Sequence, residues 1–419
     1  MSTTTARVIV LLGLLPTIAG AATITVDAGG AGDFTTIQEA VDAAANLDTV
    51  LVYPGTYTDV HEAEVCHDPV MLNVHFAKNI VLKSSHGPGS TIVDGEGSTA
   101  YGIVALPDPL IGSTLPPQVV EGFTVTNGGD APYFASMGIV VPDGEAVGNT
   151  CTGYGAGLSS DIVCYPTGIP DGGRGRSGAT MVGNTCAYNT WGIVLGHGDQ
   201  LECSATVTDN VLEYNDVGIL VGEHFNYHNW TGTVDIHENT IRDNGTGVRI
   251  SAPQSWDGWA NLIGNEISGN TKGILARSKG ISSYRGTIYL LMERNIVSDN
   301  SEIGVEFYAG TCCPQSSPPT VDAVLGGSLE AANDIHGSPV NFKAHALEDI
   351  GYVQVAGGYN YWGSTLCVDF VPSFVVDEHD DVSFDFLPFT DESHTLIFDE
   401  CESNPTEPRT WGSIKAMYR

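Results

Sequence analysis

NTIRDNGTGVRI, Asn239 to Ile250, sets two asparagines five residues apart and a glycine three residues after the second. The order recurs as NTCAYNTWGIVL from Asn184, NVLEYNDVGILV from Asn210 and NEISGNTKGILA from Asn265. It recurs again as NIVSDNSEIGVEF from Asn295, with one extra residue before the glycine. The leading asparagines are 26, 29, 26 and 30 residues apart, and looser copies start at Asn149 and Asn333. A period of this length belongs to a solenoid or an array.

Apolar columns run through the repeats. Cys186, Leu212, Ile241, Ile267 and Val297 lie two residues after the leading asparagine, and Met181, Val207, Ile236, Leu262 and Met292 three before it. Ile193, Ile219, Val248, Ile274 and Val305 follow the glycine, and Leu195, Val221, Ile250, Ala276 and Phe307 come two later. These columns alternate with other positions, as strand residues facing in and out must. Each repeat therefore holds three short strands, and repeats stacked about 4.8 Å apart make parallel sheets around one apolar core. The asparagines read as turn residues whose amides tolerate left-handed backbone and bond the neighbouring rung, forming ladders. The glycine fits a position where a side chain would clash or φ is positive.

This pattern resembles the right-handed parallel β-helix repeats of the pectin-lyase-like superfamily. It is most similar to those of exported sugar-processing proteins and of a periplasmic copper-maturation family. The resemblance covers most of the chain after its first residues, and it supplies the handedness. Two segments agree with it. TITVDAGGAGDFTTIQEAVDAAANLDTVLVYPGTYTD resembles the N-terminal lead-in of such proteins, which implies a capping helix around Thr36 to Ala45 and a first sheet starting at Val50 to Val52. GYNYWGS, Gly358 to Ser364, resembles the aromatic turn near their last rungs, and DVSFDFLPF reads as the last strand.

The expected architecture is all-β: a single-stranded right-handed parallel β-helix over residues 22–390 with a short N-terminal capping helix. Residues 391–419 read as a linker and short tail. Residues 1–21, with Arg7 before VIVLLGLL and then TIAGAA, read as a secretory signal, so the protein is expected outside the cytoplasm, extracellular or periplasmic. No later stretch suits a membrane span, so it is not expected to be an integral membrane protein, and a monomer is expected.

The chain carries 50 Asp plus Glu against 16 Lys plus Arg, a net charge of −34. That field excludes nucleic acid as a partner, and it disfavours polyanionic sugars unless a bound cation or a local basic patch offsets it. Nine cysteines in an exported chain suggest disulfides with one left over. Cys164 with Cys203 and Cys367 with Cys401 are candidate pairs. Cys151 over Cys186 reads as a disulfide or as a buried thiol stack.

GDFTTIQEAVDAA also resembles the start of pectin methylesterases. Their Gln-Asp-Thr and Asp-Phe-Ile-Phe-Gly motifs are absent, and esterase activity is rejected on that ground. His336-Gly337 and Asp380-Asp381 lack the rest of a polygalacturonase set. The stronger lead is loop stacking. The connections after successive glycine strands vary in length and would neighbour one another in space. They bring Tyr227, Trp230, Trp256 and Trp259, with Asp235 on the strand beneath, together as candidate ligand-binding residues. Glu223, Asp257, His237 and Arg242 form the candidate catalytic set for a polysaccharide lyase or glycoside hydrolase. His224 with His228, and His61, His67 and His75, have metal-like spacings without a complete ligand set, so no metal residues are assigned. Calcium is the one cofactor considered, for an elimination reaction. The leading expectation is recognition of a polysaccharide or cell-surface glycan. A lyase or hydrolase, and an adhesive surface protein without catalysis, are the alternatives.

Overall fold

The computed structural model describes residues 21–65, 68–106, 116–129, 136–160, 176–196, 202–222, 231–252, 257–280, 286–311, 319–346, 351–364, 366–376 and 382–398. Residues 1–20 of the expected signal segment, the candidate loop residues Glu223, His224, Tyr227, His228, Trp230 and Trp256, and His67 lie outside them. So do Cys164, Cys401 and the side chains of Cys203, Cys367 and Asp257.

A central coil contributes one strand to each of three sheets, joined in parallel. The first sheet runs from Thr23–Val26 through Thr49–Val52 and on to Val382–Asp385. The second runs from Gly55–Tyr57 to Asp334–His336. The third begins with Asp68–Phe76, edged by the antiparallel strand His61–Val65, and ends with Phe374–Val376. This is the expected parallel β-helix. The four apolar columns all point inward: from Met181 to Met292, Cys186 to Val297, Ile193 to Val305 and Leu195 to Phe307, every member is fully buried. Burying such side chains stabilises by about 1.5–3 kcal/mol each, and the columns repeat that gain coil after coil.

Both asparagines of each repeat form ladders, one at each of two corners. Asn239 is typical: its backbone N–H and Nδ2 donate to Asn265 Oδ1 at 3.0 and 2.9 Å, and Nδ2 also donates to the Val207 carbonyl at 2.9 Å. The looser Asn149 and Asn333 repeats belong to the same ladder, which runs on to Asn360. The left-handed residue is not the asparagine, as the sequence suggests, but the one before it: Asp209 at φ 55° and Glu238 at φ 53° are two cases. The asparagine itself is buried, so its amide serves the ladder, and the preceding exposed residue absorbs the turn.

The recurring glycine is required by close approach. A Cβ on Gly247 would lie 2.6 Å from the carbonyl oxygen of Gly273 in the next coil and 2.9 Å from Ile267 Cγ2.

At the N-terminal end the helix Ile37–Ala43 buries Ile37, Ala40 and Val41 over the first coil. Thr36 is its N-cap: the Glu39 N–H donates to Thr36 Oγ1, and the Thr36 hydroxyl donates to Glu39 Oε2 at 2.9 Å. The first sheet starts earlier than expected, at Thr23–Val26, which pairs with Thr49–Val52. The short alternating TITV sits directly behind the candidate signal and was hidden by it. At the other end Trp362, Phe342, Phe374 and Phe384 close the core. Past Val382–Asp385, Phe389–Thr390 and Ile397–Phe398 form an antiparallel hairpin. His394 pins it, with Nε2 3.1 Å from Asp334 Oδ1 and Nδ1 2.8 Å from Thr390 Oγ1.

The third sheet positions the surface of interest. Its strands lengthen from four residues at Met137–Val140 to nine at Lys272–Gly280 and Ile303–Thr311. Its outward column changes character along the axis. Val104, Val140, Val194 and Leu220 are buried in a second apolar cluster outside the sheet. From Arg249 onward the column carries charges at Arg249, Glu306 and Lys343, with Leu275 between the first two.

Candidate functional site

Register fixes the layout. Arg249, Leu275, Glu306 and Lys343 follow one another on four neighbouring strands of the third sheet. Two residues further along the strands the column is Ser251, Arg277, Tyr308 and His345. Lys272 lies on the other side of Glu306. The lengthened strands bring Arg277, Tyr308 and His345 into the sheet, where shorter strands would have ended before them.

Glu306 is the hub, its side chain only 6% exposed. Oε2 lies 2.6 Å from Lys272 Nζ, and Oε1 lies 2.9 Å from Lys343 Nζ and 3.2 Å from His345 Nε2. The contact with His345 and those with the two lysines hold its carboxyl well below the usual carboxylate range, against burial that pushes it up. The guanidinium of Arg277 sits 5.2 Å from the centre of the Tyr308 ring, and His345 meets that ring edge-on at 4.8 Å. Arg249, Lys272, Arg277 and Lys343 are half-buried. Four of the chain's 16 Lys and Arg thus lie on the outward side of one sheet, with Glu306 among them. Lysine ammonium groups carry three donors, so a contact with Glu306 leaves others for a ligand.

The sequence-derived candidates are distributed differently. Asp235 and His237 lie outward on the first sheet. Asp235 Oδ1 accepts a 2.7 Å hydrogen bond from Asn261 Nδ2, and His237 Nε2 lies 3.9 Å from the same oxygen. Glu293 is two strands from His237, with Ile263 between them. Arg242 is on the second sheet, where Nε and a terminal nitrogen hold Glu213 Oε2 at 2.9 and 2.8 Å. The backbone of Asp257 pairs with Thr231 at the start of its first-sheet strand. Trp259 is 48% exposed, but it stacks on Tyr289 of the next coil at 5.0 Å and 12°. A ring stacked along the solenoid axis shows its edge, not its face, to the side. Glu223, Tyr227, Trp230 and Trp256 fall outside the described residues.

The cationic face was missed by sequence reasoning. The Arg249–Glu306 column was visible in the repeat, but the neighbouring column becomes sheet only because the strands lengthen. The usable signal was the concentration of basic residues between Arg249 and His345 in an otherwise acidic chain.

The family described as "Periplasmic copper-binding protein (NosD)" has a model that matches residues 152–312, less than half of the chain. Among solved structures, the A-module of the Azotobacter vinelandii mannuronan C-5 epimerase AlgE6 is 17% identical, covering 78% of this chain and 94% of that one with a TM-score of 0.37. Pectate lyase Pel9A is 11% identical over 87% of this chain and 80% of its own, with a TM-score of 0.43. None of the curated proteins matches.

Among the described residues no three His, Cys, Asp or Glu are grouped to hold a metal ion. Cys151 and Cys186 are free thiols stacked inside the core, and burial raises the Cys151 thiol well above its ordinary range. Among the described residues no helix is long and apolar enough to cross a membrane. The chain is a parallel β-helix, and residues 152–312 of it match the NosD family model.

Proposed function

We propose that this is an exported protein that binds an acidic polysaccharide on the exterior of the third sheet. The observation that carries this reading is that Lys272 and Lys343 hold Glu306 while Arg277 lies over Tyr308 and Arg249 stands in the same outward column, all on one sheet of a chain of net charge −34. Charges beyond about 8 Å are largely screened at physiological salt, so the local patch, not the net charge, decides what binds there. Uronate carboxylates or sulfate esters would take the free lysine donors and the Arg277 fork, and Tyr308 would give a sugar ring an apolar contact. Tyr227, Trp230 and Trp256 lie outside the described residues, and Trp259 and Asp235 are on first-sheet strands. They are proposed as flanking contacts.

The test is affinity electrophoresis in gels containing polygalacturonate, alginate or neutral dextran. Wild type should be retarded by at least one acidic polymer and not by dextran. Arg277→Ala, which leaves the Glu306 contacts in place, should weaken the retardation several-fold. Equal mobility in all gels, or an undiminished Arg277→Ala, would sink the reading.

A further inference from the structure

A second surface feature stands apart from those charges. The left-handed position before the second asparagine ladder reads, coil by coil, Asn127, Gly153, Tyr188, Tyr214, Asp243, Gly269, Asp299 and Gly337. Glycine, asparagine and aspartate tolerate this conformation, and bulky side chains do not. Tyr188 and Tyr214 nonetheless hold it, at φ 60° and 57°. Neither is repaid by burial: they are 68% and 48% exposed. Their rings stack on each other at 5.2 Å and 11°. Strain kept at an exposed aromatic pair is the kind of outlier that marks a contact surface.

Among the described residues, no side chain of the preceding coil's column position lies over the Tyr188 end of that pair. Tyr214 covers the side of the Tyr188 ring toward the C-terminal coils. The other side looks along the axis toward Gly153, which has no side chain. A Cβ there would meet only the Asn127 backbone, at 3.5 and 3.9 Å, among the described residues. The next side chain in the column is Asn127, two coils away, whose Nδ2 donates to Asp94 Oδ1 at 2.9 Å. Two coil spacings are about 9.6 Å, and a ring-on-ring contact uses about 4 Å of it. The rest is room for one saturated ring whose hydroxyls reach the Asn127 amide and the Asp94 carboxylate. The far wall is acidic, so a carboxylated ring is repelled.

We propose that Tyr188 and the gap at Gly153 form a stacking site for one neutral pyranose unit of a polysaccharide. The C–H face of the sugar lies on the Tyr188 face turned away from Tyr214, and Asn127 with Asp94 receives its hydroxyls. The site is at a corner of the solenoid, remote in register from Glu306, and does not depend on the acidic-polymer reading.

The test is depletion from solution by insoluble cellulose, chitin and starch in about 0.5 M salt, where charge contacts are screened. Wild type should be retained by at least one. Tyr188→Asn, which restores a residue suited to left-handed backbone, should lose retention about tenfold or more while its thermal midpoint stays or rises. Tyr188→Trp, with a larger face, should keep or strengthen retention. Gel retardation of Tyr188→Asn by acidic polymers should equal that of wild type, which separates this site from the third-sheet face. Wild type released by all three solids, equal retention of Tyr188→Asn, or a Tyr188→Asn protein that melts several degrees lower would each overturn the proposal.

Discussion

Glu306 and Lys343 face each other across adjacent strands of the third sheet, with Oε1 2.9 Å from Nζ. The pair is tightened from the other side by Lys272, 2.6 Å from Oε2. The carboxylate is the buried member, and the lysines keep roughly a third of their surface in water. Removing the charge therefore leaves two cations that water can still serve, and the cost should be moderate.

Glu306→Gln should destabilise the protein by about 1–3 kcal/mol near neutral pH, as expected for a buried charge-assisted network losing its acceptor. The pH dependence has a definite sign. The folded carboxyl is held below its ordinary value, so its contribution is complete above the unfolded value of about 4.3 and is lost as pH falls from there toward the folded one. Urea midpoints of wild type and variant should differ near pH 7 and converge as the pH falls well below the unfolded carboxyl value of about 4.3. A gap that widens with acid would contradict the assignment.

An attractive patch on a repulsive molecule gives an unusual salt response. The distant carboxylates act over long range and are screened first, and the contacts to Arg277 and Lys343 act at short range and are screened last. Affinity for an acidic polysaccharide should hold or rise between about 10 and 100 mM salt and then fall toward about 1 M. Titration calorimetry of oligogalacturonate at several salt concentrations reads this directly. A steep monotonic fall from the lowest salt would place binding on a broadly basic surface, which this chain does not have.

The interior was legible because stacking fixes each inward position many times over. Ile219 must be apolar, since Ile193 lies on one side of it and Val248 on the other. The asparagines were legible for the same reason, although the residue that bears the left-handed strain was misplaced by one. The outer face is fixed by nothing of this kind. Whether Arg277 lies in a sheet or in a loop depends on how far its strand extends, and the periodicity says nothing about strand ends. Arg242 shows the converse. It was drawn toward His237 by closeness in sequence, but the chain turns a corner between them and Glu213 on the neighbouring coil takes its guanidinium.

The recurring glycine offers a sharp test of stacking. In Gly247→Ala the new methyl would meet the Gly273 carbonyl at 2.6 Å, with Ile267 and Asn270 also within about van der Waals contact. Two coils would have to part against an Asn ladder on either side. The expected loss is about 2–4 kcal/mol, at the upper end for an overpacked site, seen as a lower urea midpoint. A stability change within about 0.5 kcal/mol, the ordinary range of surface substitutions, would mean that the coils are less tightly held than their spacing indicates.

Cys151 and Cys186 occupy register-matched positions in the second sheet, fully buried and unbonded. A thiol reacts as its thiolate and only where reagent can reach it. Burial disfavours the thiolate of Cys151, with the neighbouring Cys186 adding to the effect. Both should therefore be silent toward a water-soluble disulfide reagent in the native state, whatever the other cysteines do. The check is a difference count. Replacing Cys151 and Cys186 together by alanine should leave the number of rapidly reacting thiols in the folded protein unchanged. After denaturation without reductant, the wild type should show two more reactive thiols than the double variant. A smaller native count in the double variant would show that the core opens on the timescale of labelling. An equal denatured count would show that the two sulfurs are joined in the wild type.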